Sequence, residues 1–355
     1  MARIPVVTFA IVSALCALPC RGTGPRPVVA IVAANGGTET TDFLVPYGVM
    51  AASEAVDLHA VSTRSGPVEL HPALKVELRE TIDSFDAAHP AGAQFVIVPA
   101  VMERNDPTLV AWLAGQAQRG ATLVAICDGA WTVAATGALK GRRATGHWYS
   151  LDDLAKTFPD TTWVRNRRYV RDGSVMTTTG VTASIPASLA LIEEIAGAAR
   201  AHAVAEQLGV HHWDDAHESD RFVLSRRDMA TAAGNWLAFW DWERVGITVA
   251  PGNDEIALGL TADALARTYR TSVFAVASSP DPIALKHGLR LVPDLSGDAP
   301  PVDRMQALAA SDVPITAVLD QTLASIEQVN GSATADFVAL QIEYPERRRL
   351  ADAPR

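Results

Sequence analysis

The chain alternates short continuous apolar runs with longer stretches in which apolar residues recur every three or four positions. Residues 28–34 (VVAIVAA) form one such run, closed by Asn35, Gly36 and Gly37; a run this short between turn residues predicts a buried strand. Residues 42–53 then predict a helix and 56–62 the next strand. A short hairpin is expected over 68–70 and 75–78, a third core strand over 94–99, a helix over 107–119 and a fourth core strand over 121–126. Strands alternating with helices of this length predict an α/β fold, a doubly wound and mostly parallel sheet covered on both faces. Further on, 169–172 and 174–179 flank Gly173 as a late hairpin, and a single long Ala-rich helix is expected from Thr182 to about Leu208.

A second pattern begins past the middle. Residues 245–253 (VGITVAPGN) echo 28–36 at an offset of about 217 positions. The echo continues through a helix over 260–269, a strand over 272–278, and 285–292 set against 68–76. A closing helix over 334–343 resembles 182–193, and nothing matches 124–148. The expected organisation is therefore a first unit over 28–205, a linker over 206–221, and a condensed second α/β unit over 222–346 without a site. The linker's polar part, 211–221 (HHWDDAHESDR), holds three histidines among acids. Their spacing fits no standard metal-ligand pattern, so a solvated segment is expected and no metal or cofactor.

Composition narrows the function. A length of 355 residues suits two α/β units. A formal charge of −10 argues against a nucleic-acid surface, which needs clustered Lys and Arg; the basic runs 165–168 and 347–349 are short. The start is distinctive: Arg3 precedes an apolar stretch over 6–18, followed by Pro19, Cys20, Arg21 and Gly22. That anatomy predicts a secretory signal over 1–22, cleaved after Cys16 or Gly22, and a periplasmic or secreted protein. No later stretch is long and apolar enough for a membrane span. Of the three cysteines, Cys16 and Cys20 fall in this leader, which leaves Cys127 as a lone thiol.

Cys127 lies where the apolar run 121–126 stops and a helix starts near Gly129. In open α/β sheets, ligands bind outside the carboxyl ends of the strands. A thiol there faces a helix N-terminus, which is expected to lower its pKa below the free value of roughly 8.5. Asp128 and Gly129 allow a tight turn, and the Asp128 amide points where an oxyanion would form. The alternative is a small residue packed in a core, as free cysteines often are.

Several stretches in order resemble the ThiJ/PfpI superfamily, the glutamine-amidotransferase-like group with a cysteine elbow. They are GTETTDFLVPYGVMAAS (37–53), VIVPA (96–100), VAICDGA (124–130), GHW (146–148) and YVRDGSVMTTTGVTASIPASLALIEEI (169–195). LKGRRATGHW and DDLAKTFPD are most similar to the branch containing AraC-regulator sensor domains and isonitrile hydratases. The resemblance implies a flavodoxin-like sandwich, with Cys127 as nucleophile and Asp42 as an acid that donates a hydrogen bond to the thiolate when protonated. It places His147 as a proton relay or carbonyl holder, and Ala100 in the loop that supplies a second oxyanion amide. The sequence departs from the pattern in three places: the loop reads Ala100-Val101-Met102-Glu103 without glycine, Asp128 replaces a histidine, and Pro186 replaces an acid. Three functions are compatible with these residues: an enzyme acting on a small carbonyl, amide or isonitrile-like substrate, a ligand-binding sensor, and a thiol that senses oxidation. The partner expected is a small molecule, and a homodimer is compatible with the family.

Overall fold

The computed structural model describes residues 25–297, 301–345 and 347. The leader expected over 1–22, with Cys16 and Cys20, lies outside the described residues. The main sheet has seven strands in the order Tyr169–Asp172, Val175–Thr178, Thr122–Ala125, Phe95–Val98, Val28–Ala33, Asp57–Ser62 and Glu80–Thr81. All neighbours run parallel except the first pair, where Tyr169 faces Thr178 and Asp172 faces Val175. This is the doubly wound sandwich. One face buries Ala30, Val32, Val96, Leu109, Leu113, Leu123 and Val133 beneath the helices Pro107–Gln118 and Gly129–Ala135. The other buries Val29, Ile31, Leu44, Val49, Leu189 and Ile192 beneath the first helix, Thr40–Ala52, and the helix Ser184–Ala196.

The second unit carries a sheet of four parallel strands in the order Leu295–Ser296, Thr271–Ala277, Glu243–Thr248 and Arg304–Gln306. It repeats the local order of Glu80–Thr81, Asp57–Ser62, Val28–Ala33 and Phe95–Val98 in the first. Its helix starts earlier than the periodicity suggested, at Glu255–Ala266, because Asp254 caps it by accepting from the amides of Ile256 and Ala257.

Two expectations need correction. The helix foreseen from 182 to 208 is broken at Gly197, whose φ of 83° and ψ of 165° no helix accommodates, into Ser184–Ala196 and Ala198–Leu208. The same device recurs at Gly331 (φ 85°, ψ 161°), which splits Ile315–Asn330 from Ser332–Gln341. The counterpart of Ser184–Ala196 is therefore Ile315–Asn330, and not the closing helix. The polar stretch 211–221 is also no solvated linker throughout: His217 is 2% exposed and Ser219 is buried.

The two units pack against each other within one chain. Residues of both, among them Leu44, Val49, Ile256 and Leu260, share one apolar core. Gly48 and Gly259 let the first helix and Glu255–Ala266 cross closely: a Cβ on Gly48 would lie 2.5 Å from Ile256 Cγ1, and one on Gly259 would lie 3.1 Å from Leu44 Cβ. The hairpins also join. Lys75–Glu77 pairs antiparallel with Arg290–Leu291, Val76 facing Leu291 and Glu77 facing Arg290, and Arg290 Nε reaches Glu77 Oε2 at 2.8 Å.

Candidate active site

Cys127 stands between strand Thr122–Ala125 and helix Gly129–Ala135 with φ of 53°. That is a left-handed conformation a cysteine adopts only when its surroundings impose it. Two contacts do so. The Cys127 amide donates to Thr178 Oγ1 at 3.0 Å, and that hydroxyl donates onward to the Thr179 carbonyl at 3.0 Å. Gly129 presses against the neighbouring strand so tightly that a Cβ there would lie 2.1 Å from the Val98 carbonyl oxygen. The side chain of Asp128 is anchored by Ser150 Oγ at 2.9 Å and Arg104 Nη2 at 3.3 Å.

Asp42, fully buried in the first turn of its helix, comes to the same place. Its Oδ2 accepts from the Ala100 amide at 3.1 Å, and the Ala100 carbonyl accepts from the Glu39 amide at 2.8 Å. Ala100 was expected to supply a second oxyanion amide; that amide instead holds Asp42. Oδ1 of Asp42 has no hydrogen-bond partner among the described residues. Burial and the nearby Glu39 hold the Asp42 carboxyl well above its ordinary 3.8.

The thiol follows the same direction. Burial first, then the charges of Asp42, Asp128, Glu39 and Glu343, push Cys127 well above the ordinary thiol value. This reverses the expectation of a depressed pKa. The elbow helix has only seven residues, while burial and the surrounding carboxylates, Asp42 first among them, act against the thiolate.

His147 is not part of that pair. Its Nε2 donates to the Gln341 carbonyl at 3.0 Å, and its Nδ1 accepts from the Tyr149 amide at 3.4 Å. No hydrogen bond among the described residues joins it to Cys127 or Asp42; it lines the neighbouring cavity, where it is placed to meet a ligand.

Sequence reasoning missed the groups that the second unit contributes. Glu39 caps the first helix: its Oε2 accepts from the Asp42 amide at 2.5 Å, Thr41 Oγ1 donates to it, and Arg267 Nη2 reaches its Oε1 at 2.6 Å. Arg267 also grips Asp263 through Nε at 2.8 Å. Burial and Glu39 push the Asp263 carboxyl up against the opposing pull of Arg267, to about 7. Glu343, buried and at φ of 54°, accepts from His217 Nε2 at 2.8 Å and from the Trp148 amide at 2.9 Å. Burial raises its carboxyl, but His217, His147 and the Trp148 amide outweigh that and leave it below 4.5. The acid Glu39, three positions before Asp42 and beside Thr41, was the one readable signal. Nothing local marks Arg267 or Glu343, because only the packing of the two units brings them here. Among the described residues no three His, Cys, Asp or Glu side chains cluster as metal ligands.

A parallel α/β sandwich with a strained cysteine between strand and helix defines a class of elbow proteins, and comparison with known proteins narrows it. The DJ-1/PfpI family profile matches residues 28–194. Isonitrile hydratase from Pseudomonas putida is 32% identical over 171 residues, covering 47% of this chain and 72% of the relative. The chain belongs to the DJ-1/PfpI family. Two HTH-type transcriptional regulators of Pseudomonas aeruginosa are also similar: CdhR is 39% identical over 101 residues (28% of this chain, 30% of the regulator) and ArgR is 32% identical over 133 residues (38% and 40%). Among solved structures, a DJ-1 superfamily protein from Salmonella typhimurium superposes with a TM-score of 0.47 at 22% identity, over 52% of this chain and all of its own. Drosophila melanogaster DJ-1beta does so with a TM-score of 0.47 at 18% identity, over 53% of this chain and all of its own.

Proposed function

We propose that the protein is a cysteine-dependent enzyme acting on a small neutral carbonyl, amide or isonitrile-like substrate, with isonitrile hydration as the leading reaction. The observation that carries this is Cys127 strained at φ 53°, within electrostatic reach of a buried carboxyl, Asp42, held well above its ordinary range and with Oδ1 unpartnered among the described residues. An isonitrile is attacked at a carbon that must also gain a proton, so a neutral acid beside a thiol suits it. Asp42 gives its proton to the terminal carbon while Cys127 Sγ bonds to the same carbon and returns its proton to Asp42. This yields the thioimidate R–N=CH–S–Cys127. Water then adds to that carbon, the nitrogen takes a proton, and the C–S bond breaks, leaving the formamide R–NH–CHO and the free thiol. The Asp128 amide supports the charge that develops on the adding oxygen. The similarity to isonitrile hydratase supports this reading.

The test is to incubate the purified protein with benzyl isocyanide and follow N-benzylformamide by NMR. Formation that disappears in Cys127→Ser and falls sharply in Asp42→Asn is expected. No formamide from a protein whose Cys127 still alkylates would overturn the enzyme in favour of a second reading. That reading is a ligand-sensing module, supported by the similarity to the two regulators. Export is proposed on the apolar stretch over 6–18; an intact mass lacking the first 16 to 22 residues is the expected readout.

A further inference from the structure

A cavity of about 400 Å³ is lined by His147, Trp148 and Arg267, and Arg267 stands within electrostatic reach of Cys127. We infer that this cavity holds the apolar, preferentially aromatic, body of an uncharged ligand, and that the second unit selects the ligand while the first does the chemistry. The inference rests on the reading that the Cys127 site takes a small neutral substrate, and it names the class.

Three observations carry it. The first is where the walls come from. Leu224, Met229, Tyr269, Phe337 and Leu340 all lie in the second half of the chain, beyond the 28–194 match. The unit without an elbow therefore builds most of the pocket. The second is the chemistry of those walls. Tyr269 and Phe337 already meet edge to face, with centroids 5.3 Å apart. Trp148 completes the aromatic lining, fixed by its amide to Glu343 Oε1 at 2.9 Å and by its indole N–H to the Leu340 carbonyl at 3.2 Å. A pocket preformed in this way accepts another ring without ordering its own side chains. The third is charge. Arg267, the guanidinium in the lining, is already bound to Glu39 and Asp263, Asp42 lies within its electrostatic reach, and Glu343 holds the amide of the lining Trp148. A ligand carboxylate would meet more negative than positive charge in a poorly solvated place, so an anion is excluded where its neutral isostere is not.

Calorimetric titration of Cys127→Ala protein, which binds without turnover, tests this with three probes: phenylacetamide, phenylacetate and acetamide. Phenylacetamide is expected to bind at least roughly tenfold tighter than either of the others, since one lacks the neutral head and the other the ring. Ala232→Trp, which fills the cavity from helix Arg226–Leu237, is expected to weaken phenylacetamide by roughly tenfold or more. If that variant does not fold, Met229→Ala at the exposed mouth carries the same test with a roughly threefold loss. Phenylacetate or acetamide binding as well as phenylacetamide overturns the inference, as does unchanged binding in a folded Ala232→Trp. Selective binding by a protein whose wild type forms no product would sink the enzymatic reading and leave the pocket standing.

Discussion

Arg267 Nη2 lies 2.6 Å from Glu39 Oε1, across 228 positions of sequence. Glu39 in turn holds the Asp42 amide, so a side chain of the second unit reaches the acid beside Cys127 through one intermediary. The site is complete only because two units that read as near-repeats fold against each other.

Replacing that cation is the most direct perturbation. Arg267→Met leaves Glu39 and Asp263 buried without their counter-charge, and breaking a buried pair in this way costs roughly 3–5 kcal/mol. A large drop in thermal midpoint is expected at pH 8, above the value of about 7 to which Asp263 is pushed. Below pH 7, as Asp263 takes up a proton (pushed up to about 7), the gap between variant and wild type should narrow. A gap independent of pH would show that the carboxylates do not depend on Arg267.

The Cys127–Asp42 pair makes a second forecast. Because burial and carboxylates raise the thiol, its alkylation midpoint with iodoacetamide should lie above the free-cysteine value of roughly 8.5. Asp42→Asn removes one of those charges, so the midpoint should fall and alkylation at pH 8 should speed up. The same substitution also shifts stability. A carboxyl raised above 3.8 costs the native state stability as pH climbs from 3.8 toward its folded value. Asp42→Asn should therefore melt higher than wild type at pH 7 and equal to it below 3.8. A lower midpoint for the wild-type thiol than for Asp42→Asn would refute the linkage.

Much of the fold was legible in the sequence. Apolar runs closed by Asn35, Gly36 and Gly37 or by Cys127 and Asp128 marked the carboxyl ends of strands, and these positions are local properties of the chain. Asp42 and Cys127 could be singled out as candidates because the elbow and the first helix belong to the half that matches the family. The thiol's direction of titration was misjudged because it depends on how many carboxylates converge after folding. Glu343 illustrates the limit: it follows a helix end in an ordinary-looking IEYP, and only its φ of 54° and its contacts with His217 and Trp148 reveal a role. Ala100 shows the converse, a correctly placed loop whose amide was assigned to the wrong acceptor.

Glu343 supports a pH-dependent prediction of opposite sign to Asp42. Its carboxyl sits below 4.5 in the native state, so it contributes stability that is fully present above pH 4.5 and is lost as pH falls through the depressed value. Glu343→Gln should cost roughly 1–3 kcal/mol at neutral pH, the order expected when buried hydrogen bonds lose a charged acceptor. The cost should shrink as the solution is acidified below 4.5. Denaturant titrations at pH 7 and pH 3.5 measure it, and an equal loss at both would mean the residue acts by shape and not by charge.

The crossing of the two central helices gives the last prediction. Gly48 and Gly259 stand where the first helix meets Glu255–Ala266, and a Cβ on Gly48 would come within 2.5 Å of Ile256 Cγ1 and 3.1 Å of Glu255 Oε1. Glu255 is fully buried, so neither neighbour has solvent to retreat into. Gly48→Val must push the helices apart, and overpacking of this kind costs about 1–3 kcal/mol. Separation also draws Arg267 away from Glu39, because Arg267 caps the end of the displaced helix. The variant should therefore lose stability and, at the same time, move the Cys127 alkylation midpoint upward, because the Arg267 cation within electrostatic reach of the thiolate is drawn away. Gly36→Ala, where nothing lies within 4 Å of the added methyl, should do neither. If Gly48→Val melts early but leaves the thiol profile untouched, the second unit stabilises the first without tuning its site.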